Sequence, residues 1–280
     1  MSTVNRRVLP GFGLGLGTTL TYLTVLVLIP LGFCFWTAAE LSWDDFWKAV
    51  ADPKAIAAYK LTFAASFLAG AVNVAIGLIV AWTLVRYEFP GKRIVDALVD
   101  IPFALPTAVA GMIYANLYMP EGWLGRYLVP LGIEGAFSRT GIVLVLIFTG
   151  FPFVVRTVQP VLEDLDAETE EAAGVLGASR WQTFRRVILP SLIPPAITGF
   201  SLAFARAIGE YGSVVFISAN TPETTIAPMR IVALQLESTN ADRASATAEA
   251  AAIASVLLLV SFAMLILINL FERWNRRYGQ

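Results

Sequence analysis

Residues 170–190 read EEAAGVLGASRWQTFRRVILP. The stretch is charged, punctuated by turn residues and helical in pattern, and it lies between two long apolar segments. Its caps define two helices. Asp166 is a candidate N-cap, and Glu168, Glu170 and Glu171 fall in the first turns, where the helix dipole favours anions. Ala172, Ala173 and Leu176 give this helix a small apolar face, and Gly177 suits the left-handed position that ends it. Ser179, followed three residues on by Gln182, matches a capping box and opens the second helix. Arg185 and Arg186 fall in its last turns, and Pro190 either stops it or kinks it into the apolar run beyond. Two roles fit this hairpin. It is an amphipathic connector lying on the membrane surface, or a rigid lever seated in the groove of a water-soluble partner, where small Ala172 and Ala173 permit close approach.

The flanking sequence places that hairpin in a membrane protein. Of the 280 residues, 57% are hydrophobic and 15% charged, against about one quarter charged in a soluble domain. The mean hydropathy is +0.68. Six apolar runs are long enough to span about 30 Å of hydrocarbon, near 18–39, 58–85, 94–119, 140–159, 191–218 and 247–271. The fold class expected is therefore all-α, a polytopic protein with six transmembrane helices. The first run is too long for a cleaved signal core and reads as a retained helix. No linker, low-complexity tract or internal repeat marks a second domain. Residues 1–280 read as a single transmembrane domain containing the 160–190 loop.

Basic residues orient the spans. Arg6, Arg7, Arg86, Lys92, Arg93, Arg156, Arg180, Arg185, Arg186, Arg273, Arg276 and Arg277 lie on one side, twelve in all. Lys48, Lys54, Lys60, Arg126, Arg139, Arg230 and Arg243 lie on the other, seven in all. The excess puts both termini and the 160–190 loop in the cytoplasm. Trp36, Trp43 and Trp47 then mark the outer end of the first span, Trp82 and Tyr87 flank the inner end of the second, and Trp274 follows the last. The outer stretch Pro222–Asp242 has room for a short helix.

Composition also excludes chemistry. Histidine is absent, which removes the commonest general base and metal ligand. Cys34 is the single cysteine, so no disulfide forms within the chain and no cysteine zinc site exists. It reads as a small packing residue. A net charge of −1 with no basic stripe gives no sign of a nucleic-acid partner. The one Gly-Lys pair, Gly91-Lys92, is followed by Arg93, and Arg86 stands where the first glycine of a phosphate-binding loop belongs. No nucleophile–base pair falls within the spans, so an enzyme is not indicated.

Glu171-Ala172-Ala173, then Gly177, then Leu189-Pro190, resembles the EAA loop of ABC importer permeases. The family pattern is EAA, three residues, Gly, nine residues, then Ile-x-Leu-Pro, and Val187 stands at the Ile position. The resemblance implies a type I importer permease fold. It also implies that Glu171, Ala172, Ala173, Gly177, Arg180, Leu189 and Pro190 couple the chain to a cytoplasmic ATPase, which would bind ATP and Mg while this chain holds no cofactor.

Within the fifth run, Arg206, Glu210, Tyr211 and Ser213 stand in FARAIGEYGSVVFIS at 204–218. Arg206 lies about 22 Å along that helix, well inside the membrane. Ionisable residues at such depth usually face a bundle interior or cavity. Arg206 and Glu210, spaced i, i+4, either neutralise each other to hold helices together or line an anion path, with Glu210 orienting a guanidinium suited to oxyanions. The third run carries Asp100, Pro102 and Pro106 in DIPFALPTAVAG at 100–111, where the prolines imply a kink with free carbonyls. That kink serves packing or the path. Asn73 and Asn116 are candidates to bridge helices.

Several segments are similar to the T-type permeases of sulfate/thiosulfate importers. They include DIPFALPTAVAG, FPFVVRTVQPVLEDL at 151–165 and FARAIGEYGSVVFIS. The resemblance implies a bacterial inner-membrane importer built from this subunit, a homologous W-type permease as its heterodimer partner, two ATPase copies and a periplasmic sulfate-binding protein. A molybdate or tungstate permease is the nearest alternative. An ion-coupled carrier is less suited, because it has no use for the docking loop and no inverted repeat is visible.

Overall fold

The computed structural model of the chain describes residues 11–239 and 242–278, and for 167 and 271–278 the backbone alone. Arg6 and Arg7, with the side chains of Arg273, Trp274, Arg276 and Arg277, lie outside the described residues.

All regular structure described is helical. The first expected span is found in α1, a run over Phe12–Ala39, and α2, Trp43–Val50, follows it. The second is α3, Pro53–Arg86. The fourth is α8, Arg139–Glu163, the fifth begins in α10, Arg180–Ile208, and the sixth lies in α13, Arg243–Tyr278. Between α3 and α8 come α4, Lys92–Val99, α5, Ile101–Ala104, α6, Thr107–Tyr118, and the short α7, Gly125–Leu128. The hairpin helix is α9, Ala167–Val175. After α10 come α11, Val214–Ile217, and α12, Ala227–Glu237, the latter within the outer stretch expected to hold a short helix.

Two of the expected spans are not single helices. The run 94–119 is divided among α4, α5 and α6, so five long apolar helices rather than six are present among the described residues. Pro106 has no N–H to give, and it holds Leu105 in extended geometry at φ −84°, ψ 128°. The run 191–218 ends its long helix at Ile208 and resumes only at Val214. Two prolines carried inside long helices follow a π turn, Thr24–Leu28 ahead of Pro30 and Phe184–Ile188 ahead of Pro190, whereas Pro152 and Pro160 are held within α8 without one. The wider turn relieves the clash between a proline ring and the carbonyl four residues back. Pro190 therefore does not stop the helix.

The chain clusters into two compact units. One holds the chain up to Asp52 together with Ile231–Val256. In it Ala38, Val50 and Ala252 are buried with Leu41 and Phe46 against them. The Cys34 thiol lies 3.8 Å from both the Ala251 carbonyl and the Ser255 hydroxyl, as a packing residue should.

The other unit holds Pro53–Arg230 together with the chain from Leu257. Its centre is α3, α8 and α10. Ala58, Ala65, Ala69, Gly77 and Ala81 bury a stripe of small residues along α3, which lets helix backbones approach. A Cβ at Gly77 would fall 2.7 Å from Val154, and one at Gly199 would fall 2.5 Å from the Thr157 hydroxyl. Val154, Val155, Val158 and Leu162 of α8 fill the core between them. Among the described residues neither asparagine makes a hydrogen bond between helices: Asn116 donates to the Met112 carbonyl of its own helix, and the buried amide of Asn73 has no hydrogen-bond partner among them.

Candidate functional site

Three clusters within the second unit gather the residues singled out in the sequence. The first is the hairpin. Asp166 stands at the N-cap of α9, but its side chain caps nothing; Glu168 and Glu170 occupy the first turn. Gly177 has φ +83°, which favours glycine. The Ala178 N–H donates to the Ala173 carbonyl at 3.0 Å and the Gly177 N–H to the Gly174 carbonyl at 2.9 Å, the bond pair of a Schellman turn. The Ser179 hydroxyl accepts from the Gln182 N–H at 3.3 Å, and the Ser179 N–H donates to Gln182 Oε1 at 2.8 Å. The capping box is complete, so the turn between α9 and α10 is fixed at both ends. Beyond it Val175 and Leu176 are 89% and 87% exposed, and Glu171, Ala172, Gly177 and Arg180 are exposed around them. Leu189 and Pro190 lie farther along α10.

The second cluster joins two interrupted helices. Glu210 lies just past the end of α10, not one turn along it. Its carboxylate is ion-paired with Arg206 and accepts the Ser213 N–H and the Ser213 hydroxyl, both at 2.9 Å. Glu210 is 2% exposed, while the Arg206 side chain is 37% exposed. One buried carboxylate thus satisfies the amide that the interruption frees, and it balances the charge of a cation that still reaches open space. The turn rests on the start of α6. A Cβ at Gly212 would stand 2.3 Å from the Thr107 hydroxyl. The interruption at Leu105–Pro106 therefore abuts the one at Gly209–Ser213. Irregular backbone at membrane depth survives only where it is buried in protein or lines water, and here each break covers the other. Tyr211 is half-buried against the core formed by Ile142, Val145 and Ile217.

The third cluster takes Asp100 away from that pair. Arg156 donates to both oxygens of Asp100, at 2.8 and 2.7 Å, and to Asp96 at 2.6 Å. The forked contact ties the ends of α4 and α5 to α8. Pro102 sits in the first turn of α5 beside it. Charge counting placed Arg156 on a side and gave it no role. The i, i+4 spacing of Asp96 and Asp100 was a visible signal of an acidic pair awaiting a cation.

No group of three or more potential metal ligands occurs among the described residues. The profile of the family described as binding-protein-dependent transport system inner membrane component matches residues 73–277. The chain is 49% identical over 262 residues to the sulfate transport system permease protein CysT of Synechocystis sp., covering 93% of this chain and 89% of that protein. It is 44% identical to the protein of the same name from Escherichia coli, covering 98% and 97%. Among solved structures it is similar to a bacterial ABC transporter involved in import of the polysaccharide alginate. The TM-score is 0.75 at 16% identity, with 94% of each chain covered, a likeness of fold alone.

Proposed function

The chain belongs to the family of binding-protein-dependent transport system inner membrane components, and from that premise we propose that it is a membrane-spanning subunit of an ATP-driven sulfate importer. As one permease domain it forms half of a translocation pathway with a homologous W-type subunit. A periplasmic sulfate-binding protein delivers sulfate or thiosulfate. Two ATPase copies bind ATP and Mg, and each docks on a permease loop, here residues 160–190. The chain itself holds no cofactor and hydrolyses nothing. Its place is the bacterial inner membrane.

One observation carries the coupling role. A helix turn fixed at both ends presents Val175 and Leu176 almost wholly to water. Covering side chains of this size is worth about 1.5–3 kcal/mol each, and a rigid turn loses little entropy on docking. Support for the cargo comes from the identity to sulfate permeases, which extends over nearly the whole chain. Within the path, Arg206 meets the anion and Glu210 with Ser213 holds the guanidinium in place; Tyr211, Asp100, Pro102 and Pro106 shape the surrounding breaks.

The test is uptake into vesicles reconstituted with both permease subunits, the ATPase and the binding protein. Sulfate uptake that needs ATP and is competed by thiosulfate supports the reading. Competition by molybdate or tungstate alone points to the alternative cargo, and uptake without ATP refutes the coupling.

A further inference from the structure

Two adjacent glutamates of the hairpin have different environments. Glu171 is exposed. Glu170 turns back to the molecule and pairs with Arg86, 84 residues earlier, at the end of α3. Both side chains are about three-quarters enclosed, at 24% and 28% exposure. Arg86 also lies over the ring of Trp82, its guanidinium carbon 5.3 Å from the ring centre. Trp82 meets Phe184 of α10 edge-on at 5.6 Å, and Phe184 stacks on Trp181 at 5.7 Å. The end of α3 thus grips both limbs of the hairpin, α9 through a charge pair and α10 through aromatic rings.

We infer that Arg86 is a positioning residue for coupling. By holding Glu170 it fastens α9 to the cytoplasmic end of α3, so that a displacement of the hairpin moves α3 as well as α10. The inference rests on the reading of 160–190 as the ATPase dock. The chain path explains why such a fastening is needed. α10 runs unbroken from the hairpin into the membrane and carries motion by itself. α3 packs against α10, where Ala81 and Leu84 share a buried cluster with Ile188 and Leu192, and the Arg86 pair extends its hold to α9, the other limb. Enclosure matters as well. A pair freely open to water contributes little, whereas one this enclosed and stacked on a ring holds a defined geometry. A purely stabilising pair would alter assembly and melting. A transmitting pair alters how much transport each hydrolysed ATP yields.

The experiment uses the complete complex in proteoliposomes, with sulfate uptake and phosphate release measured together and ATPase retention checked by co-purification. Arg86→Gln and Glu170→Gln are each expected to keep the ATPase bound and to lower uptake per ATP about threefold or more. The exchange Arg86→Glu with Glu170→Arg is expected to recover at least half of that loss. Native uptake per ATP in both single variants overturns the inference, as does an exchange no better than the singles while the ATPase stays bound. Leu176→Asp separates the two levels. If the ATPase remains attached to that variant, the docking reading fails and the inference with it; if it is lost, docking stands and the Arg86 variants decide.

Discussion

A Cβ built on Gly111 would stand 2.2 Å from the backbone carbonyl oxygen of Ser213. The start of α6 and the turn before α11 are thus in backbone contact, and no side-chain rotation relieves an added methyl. Gly111→Ala is expected to destabilise the permease by about 1–3 kcal/mol and to depress uptake. Thermal unfolding in detergent checks it. Gly174→Ala, in an exposed helix with open space around it, serves as the control and is expected to leave unfolding unchanged or slightly later.

Arg206 and Glu210 differ in what their loss leaves behind. Arg206→Ala strands a carboxylate that is 2% exposed, retaining only the two bonds from Ser213. It is expected to cut sulfate uptake by about tenfold or more, in line with the cost of unpairing a buried charge. Arg206→Lys, which keeps the charge but not the fork, should fall between. An Arg206→Ala complex that assembles normally and transports at the native rate would remove Arg206 from the path.

Gly177 tests the hairpin turn by itself. At φ +83° a Cβ is strained by about 1–2 kcal/mol, and proline, held near −65°, cannot take the position at all. Gly177→Pro is expected to insert normally in the membrane yet abolish ATP-driven uptake, and Gly177→Ala to weaken it. Uptake that survives Gly177→Pro in a properly inserted protein contradicts the docking role.

Arg156 serves two carboxylates at once. Arg156→Ala leaves Asp96 and Asp100 facing each other without their cation. Its melting temperature is expected to drop further than that of Asp96→Asn, which leaves the forked Asp100 contact in place. Equal melting of the two variants would show that the fork contributes nothing.

What could be read in the sequence was local. Gly177 and the Ser179–Gln182 box act over a few residues, and the spacing alone located the turn that the structure contains. Asp166 shows the limit: the residue type marked the N-cap position, yet its side chain makes no capping bond. The prolines at 102 and 106 announced a bend. That the run breaks into three helices depends on neighbours that cover the freed carbonyls, which spacing does not reveal. Glu210 fits a helical i, i+4 partner of Arg206, and the interruption after Gly209 leads into a turn whose Gly212 and Ser213 lie against Thr107 and Gly111, about a hundred residues earlier. The cations that complete Asp96, Asp100 and Glu170 are likewise distant in the chain. Charge counting sums over such residues without matching them.

The π turn at Phe184–Ile188 sets a phase. Leu189 donates to the carbonyl five residues back, so this helix holds one residue more than a regular α-helix would between the hairpin and Arg206. Each residue of an α-helix turns the chain by about 100°. Delete that residue and let the turn relax to α, and the face exposing Val175 and Leu176 would rotate by about that angle relative to the face bearing Arg206, while the proline ring at 190 would press on the backbone behind it. The bulge that accommodates Pro190 therefore also fixes the direction in which the hairpin faces when Arg206 faces its own.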